Sequence, residues 1–247
     1  MIRPPSADDL LDLWEWGQAQ PAARRALGVL AVAFPDEPAG RLEAASVGRR
    51  DRALLAVREA IFGRQLRSLA DCPACGQAVE VELDTAELHG GSPARPEPAA
   101  PQPPLWADGV QIDWRLPDSR DLLAAASAGD VAEARRVLLG RTVSARRGGE
   151  PLDISSLSGE ILDEVFAAME RADPLARIEF PLSCPRCEGA WSATLDVAAF
   201  LCGEIEATAR RLLHEVHALA SAYGWREAEI LAMGERRRSA YLEMIGP

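Results

Sequence analysis

The chain lacks lysine and asparagine altogether, so all 27 of its basic residues are arginine. Both missing residues have AT-rich codons, and their absence points to a GC-rich coding genome more than to a chemical requirement. Cysteine is also scarce, with five in 247 residues. That is too few, and an odd number, for a secreted disulfide scaffold. Positive charge is outnumbered, with 38 acidic residues giving a formal net charge of -11. This argues against a general nucleic-acid or anionic-membrane binder, because both surfaces attract net positive protein. The longest apolar run, Ala26 to Phe34, is about half of the roughly 20 residues needed to cross a bilayer. The opening Met1-Ile2-Arg3-Pro4-Pro5, followed by Asp8 and Asp9, has none of the basic-then-apolar layout of a signal peptide. A soluble, cytoplasmic protein with no membrane partner is therefore expected.

At 48% hydrophobic residues the chain can bury a core, which excludes wholesale disorder, and its length suits one or two domains. Ser6 can cap a first helix, and Asp8 and Asp9 in its opening turn favour the positive end of the helix dipole. A second helix opens near Pro21 and runs to about Phe34, before the turn marked by Pro35 and Pro38. A third runs from Arg49 to Phe62, so the first sixty residues read as a small helical bundle. After Cys72-Pro73-Ala74-Cys75-Gly76, alternation of Val79, Val81 and Leu83 with Glu80 and Glu82 predicts a half-buried strand, and Asp84 can cap a short helix reaching Leu88. Six prolines then fall between positions 93 and 104, a stiff linker or surface loop without a core of its own.

Val110, Ile112, Trp114 and Leu116 alternate as a strand that Pro117-Asp118-Ser119 stops, with Asp118 and Asp130 placed to cap the next helices. A loop containing Arg147-Gly148-Gly149 follows, then an amphipathic helix from Ser158 to about Glu170. Ile178, Phe180 and Leu182 predict another strand, which leads into Cys184-Pro185-Arg186-Cys187 and a further strand from Trp191 to Leu195. The long helix that Asp196 can cap has a stripe of Ile205, Leu212, Val216, Leu219 and Tyr223, and one or two short helices end the chain.

Laid side by side without a gap, Cys72 to Leu88 and Cys184 to Phe200 agree at seven of seventeen positions, and at four of thirteen once the four-residue motif is removed. Each copy is preceded by an amphipathic helix, so the repeating unit is helix, strand, Cys turn, strand, helix. A Cys-Pro-x-Cys turn between strands has the geometry of a zinc knuckle, since two intervening residues let both sulfurs reach one tetrahedral ion at roughly 2.3 Å. Each knuckle supplies two ligands. The symmetric solution is one closed, structural four-thiolate zinc site from Cys72, Cys75, Cys184 and Cys187. A disulfide, a redox couple, free thiols or a site that has lost its metal are the other readings. Redox pairs usually open a helix, whereas strands follow both pairs here. Glu188 stands where the first knuckle has Gly76, and Gly189 is expected to supply the needed backbone freedom.

The predicted fold is α+β, mainly helical, with the duplicated unit built around a small antiparallel sheet that carries a zinc-ribbon-like site. The expected domains are 1–88, a helical bundle plus first knuckle; 89–106, the Pro-rich linker; and 107–247, the second knuckle with its flanking strands and helices, the two halves packing as one unit. Cys202 reads as a small buried core residue. His214 and His217 fall opposite the apolar stripe and read as exposed or interface residues. Arg236-Arg237-Arg238 beside Tyr241 reads as a solvated helix face. No phosphate-binding loop, nucleophile set or paired carboxylate motif stands out, so no enzyme is expected.

Three stretches carry a family resemblance: Val47-Gly48-Arg49-Arg50-Asp51 through Phe62-Gly63; Cys72-Pro73-Ala74-Cys75-Gly76; and Ala198-Ala199-Phe200-Leu201 through Arg211-Leu212-Leu213-His214-Glu215-Val216-His217, Tyr223-Gly224-Trp225 and Arg237-Arg238-Ser239-Ala240-Tyr241-Leu242. Together they resemble the baseplate hub assembly proteins of T4-type phages, and more closely the relatives encoded with phage-tail-like contractile injection systems. The resemblance implies a non-enzymatic assembly chaperone or minor component whose partners are baseplate, hub or spike proteins. Trp14, Trp16 and Trp225 are candidate contact residues or core residues. A different class of function, a zinc-ribbon adaptor acting with nucleic acid or transcription machinery, would need a basic or aromatic surface at the knuckles, where Glu80 and Glu82 lie.

Overall fold

A computed structural model of the chain describes residues 2–89 and 95–245. In chain order the elements are α1 (Ala7–Gly17), α2 (Ala22–Ala33), α3 (Ala39–Glu43), α4 (Val47–Phe62), β1 (Gln65–Asp71), β2 (Ala78–Asp84), α5 (Thr85–His89), β3 (Leu105–Ala107) and β4 (Val110–Trp114). They continue with α6 (Ser119–Ala125), α7 (Val131–Thr142), β5 (Val143–Arg147), β6 (Glu150–Leu152), α8 (Gly159–Ala172), β7 (Ile178–Ser183), β8 (Ala190–Leu195), α9 (Val197–Tyr223), α10 (Glu227–Leu231) and α11 (Glu235–Ile245). The fold is α+β with small antiparallel sheets: the hairpins β1-β2 and β7-β8, and a four-stranded sheet in the order β3-β4-β5-β6. No helix among the described residues is long and apolar enough to cross a membrane.

The chain divides into two compact units, one of residues 1–35 with 198–247 and the other of residues 36–197. The division falls at Pro35 and Val197, away from the Pro-rich stretch. In the first unit, Ser6 and Asp9 form a reciprocal cap at the start of α1. Ala209, Leu212, Val216 and Leu219 of α9 are buried against Leu11, Ile230 and Leu231. Tyr223 departs from the predicted stripe: it is exposed and stacks on Trp225 with ring centroids 4.5 Å apart. Arg238 is buried, with its Nε 2.7 Å from Glu215 Oε2 and its Nη1 donating to the Met233 carbonyl at 2.5 Å. One member of the arginine run therefore faces inward, where a wholly solvated face was expected.

In the second unit the four-stranded sheet buries Val110, Ile112, Trp114, Val143 and Ala145 against Ile161, Val165 and Ala168 of α8. Two tight turns shape this sheet. Asp108 and Gly109 link β3 to β4 with φ of 50° and 72°, and Gly148 and Gly149 link β5 to β6 with φ of 59° and 89°. Two successive residues at positive φ match the right-handed twist of paired strands. The segment read from sequence as a loop at Arg147-Gly148-Gly149 is thus a hairpin turn.

Asp121, at the start of α6, is fully buried and held by both Nη atoms of Arg115 at 2.6 and 2.8 Å and by Nε of Arg141 at 2.8 Å. Burial alone would raise its carboxyl; the Arg115 and Arg141 guanidiniums and the Asp118 amide outweigh it and bring it down to about 2. On α4, Gly48 donates its N–H to Asp173 Oδ2 at 2.8 Å, and a Cβ there would overlap the Asp173 carboxylate. Of the Pro-rich stretch, residues 90–94 lie outside the described residues. The rest runs along the surface, tied by the Arg49 guanidinium to the Pro98 carbonyl at 2.7 Å and by an isolated bridge from Ala45 to Pro98.

Candidate metal centre

Both Cys turns close hairpins of the same register. Asp71 pairs with Ala78 just before Cys72, and Ser183 pairs with Ala190 just before Cys184. Inside the first turn the Cys72 N–H donates to the Gln77 carbonyl and the Gly76 N–H to the Cys72 carbonyl, both at 2.9 Å. The second turn repeats this with Cys184 N–H to the Gly189 carbonyl and Glu188 N–H to the Cys184 carbonyl, again at 2.9 Å. Gly76 has φ of 70° and Glu188 has φ of 58°. Glu188 itself therefore takes the left-handed conformation, which corrects the expectation that Gly189 would do so.

The two turns bring all four predicted sulfurs together, every one within 4.8 Å of the others. The shortest approaches run between turns: Cys72 Sγ lies 3.7 Å from Cys187 Sγ, and Cys75 Sγ lies 3.6 Å from Cys184 Sγ. A disulfide needs about 2.05 Å, so these are separate thiols. Four ligands held about 2.3 Å from a tetrahedral ion are themselves about 3.8 Å apart. The inter-turn spacing agrees with that edge, and four soft donors without a carboxylate or water position suit zinc or a comparably thiophilic ion. Cys72 and Cys184 are buried, Cys75 is half-buried and Cys187 is exposed.

The local field already treats the sulfurs unequally. At Cys184, burial resists ionisation, but the Cys187 and Arg186 amides and the neighbouring Cys75 and Cys187 thiols prevail and lower the thiol to about 6. The Arg186 N–H lies 3.4 Å from that sulfur. At Cys75 the Gln77 amide favours the thiolate, but burial and the three other sulfurs prevail and push the thiol up to about 12. A bound dication would favour the thiolate at all four.

The other residues singled out in the sequence stand apart from this cluster. His214 and His217 are exposed on α9 and join no metal-ligating group among the described residues. Cys202 is half-buried on the same helix, less enclosed than a core residue. Trp14 and Trp225 are half-buried and pack against the first unit's core, whereas Trp16 is 43% exposed. Sequence reasoning missed the Arg115-Asp121-Arg141 cluster, whose members are scattered over 27 positions and carry no recognisable spacing. It also missed that Trp16 lies on Gly28, for which the one signal was a glycine inside an apolar helical run.

Compared with family models, with curated proteins and with solved structures, the chain has no match in any of the three.

Proposed function

We propose that Cys72, Cys75, Cys184 and Cys187 hold one structural zinc ion, and that the chain is a non-enzymatic assembly chaperone or minor baseplate or hub component of a contractile, phage-tail-like injection system. The single observation that carries the metal reading is the convergence of four sulfurs from two distant hairpins to within 4.8 Å. When bound, the ion would supply a cross-link of high local charge and no open coordination position. The chain's own contribution is to hold the thiols: the two hairpins fix the backbone, and the amides of the turns share the sulfur charge.

Equal register, equal turn hydrogen bonds and the matching left-handed residues Gly76 and Glu188 support descent of the two knuckles from one duplicated zinc-ribbon-like unit. The tail role is supported by the resemblance of the Val47–Gly63, Cys72–Gly76 and Ala198–Leu242 stretches to the hub assembly proteins. An acidic protein without a recognised catalytic constellation suits work done by holding other proteins. The surface of the first hairpin is a poor match for nucleic acid: Glu80 and Glu82 are exposed, and Arg67 is paired with Glu82 at 2.8 Å.

Metal analysis of the purified chain is expected to give about one zinc per molecule. Two ions or none would refute the shared site. Pull-down from cells expressing the neighbouring genes is expected to recover a hub, spike or wedge protein. A gene neighbourhood without sheath, tube or spike genes, together with failure to recover any of them, would overturn the assembly role.

A further inference from the structure

One exposed feature of the first unit has a definite chemistry. Asp9, Asp12, Leu13 and Trp16 of α1 lie along one side of the helix at three- and four-residue spacings, and they face Gly28 and Val32, four apart on α2. These six residues line a groove of about 260 Å³. Its wall depends on a glycine. A Cβ at Gly28 would overlap the benzo ring of Trp16, so the missing side chain is what lets the indole lie on α2. The same indole stays 43% exposed, which is unusual for a side chain of this size.

The charge in the groove is of one sign. Asp9 is already engaged, accepting from the Ser6 N–H and hydroxyl at 2.8 Å and from Arg3 Nη2 at 3.1 Å. The Asp12 carboxylate, exposed and one turn before Trp16, has no hydrogen bond or ion pair among the described residues. No cation lines the groove; Arg24, one turn before Gly28, is exposed but outside the lining. An exposed indole beside an unpaired carboxylate, above an apolar floor of Leu13 and Val32, matches the three parts of an arginine side chain. The guanidinium can lie on the ring and pair with the carboxylate, while the methylene stem covers the aliphatic floor. Lysine fits less well, because its ammonium is a compact, strongly hydrated point charge that cannot stack in the same way.

We infer that the groove between α1 and α2 receives an arginine side chain presented by a partner protein, with Trp16 and Asp12 as the recognising residues. This rests on the reading that the chain works by holding other proteins, and it names the chemistry of one contact.

The test is titration of the full-length chain with the peptide acetyl-Ala-Arg-Ala-amide, followed through the assigned Trp16 indole N–H signal by NMR. The expected result is a saturable shift confined to the groove, about fivefold weaker for the lysine peptide and weaker still for the neutral citrulline peptide. Asp12→Asn, a change at an exposed position, should weaken arginine binding about fivefold or more, and Gly28→Ala should abolish it by displacing the indole. An equal response to citrulline, an unaltered response in Asp12→Asn, or no movement of Trp16 would overturn the inference. Absence of arginine binding with tail-protein capture intact refutes the groove alone. Arginine binding in a protein that captures no tail component supports the groove and refutes the assembly role.

Discussion

The two compact units solve the problem of stability differently. The unit of residues 1–35 and 198–247 is helical, with 9 basic against 11 acidic residues, and it buries one continuous stripe of α9. The unit of residues 36–197 carries 18 basic against 27 acidic residues and builds its sheets from strands of three to seven residues. An isolated two-stranded hairpin is at best marginally stable in water. The second unit has two of them, and beside the apolar core of its four-stranded sheet it adds polar ties: ion pairs onto the buried Asp121 carboxylate and a convergence of four thiols. The contrast teaches that two short hairpins draw on specific cross-links as well as burial, where a helical stripe is held by area alone.

With the proposed zinc site, loss of the ion should separate the units most sharply. Chelation, or Cys72→Ser, is expected to cost the second unit on the order of 10 kcal/mol of binding-linked stability. Hydrogen exchange should then show loss of protection in β1, β2, β7 and β8 while α9 between Ala209 and Leu219 remains protected. Equal loss in both would break the comparison. In the same unit, Asp121→Ala removes a buried carboxylate that accepts from Arg115, Arg141 and the Asp118 N–H, and should lower stability by about 3 kcal/mol in urea unfolding, with any bound metal retained.

The counterpart in the helical unit is Leu212→Ala, fully enclosed on α9, with an expected loss of about 2–5 kcal/mol and no effect on the four thiols. Acid should act on the second unit in a predictable window. Asp121 is held at about 2 against an ordinary 3.8, so its contribution is complete above about pH 5 and is lost progressively as pH falls through 3.8 and past 2. The amount is on the order of 2 kcal/mol, measurable by unfolding at a series of pH values in Asp121→Asn and the parent. The smallest effect is a gain: Glu188→Gly should stabilise the second knuckle by about 1 kcal/mol, because glycine adopts positive φ without steric cost. A loss there would mean that the Glu188 side chain does more than occupy the turn.

Much of this was readable from residues alone because local chemistry dictated it. Ser6, Asp118, Asp130 and Ser158 cap helices where their side-chain oxygens suggested, and the paired Cys-Pro-x-Cys turns announced which sulfurs meet. The four-stranded sheet was harder to see. Val143 and Ala145 begin to alternate directly after Thr142, where α7 runs into β5 with no turn between them. Asp108-Gly109 and Gly148-Gly149 carried the hairpin signal that the alternation of so few residues could not. Division into units was not legible at all, because residues 1–35 are grouped with a segment that begins more than 160 positions later. Burial of Arg238 and Asp121 likewise depends on partners that no spacing rule connects.

The separation of the two cysteine turns also bears on how the protein is made. Cys72 and Cys187 lie 115 positions apart, and Cys75 and Cys184 lie 109 apart. At about 5–20 residues per second on the ribosome, the first turn emerges roughly 5–20 seconds before the second exists. Throughout that interval the nascent chain displays two of the four thiols, half of the proposed coordination sphere and open to oxidation. Only a molecule translated past Cys187 can bring all four thiols together, so occupancy of the proposed site would report that this much of the message has been read.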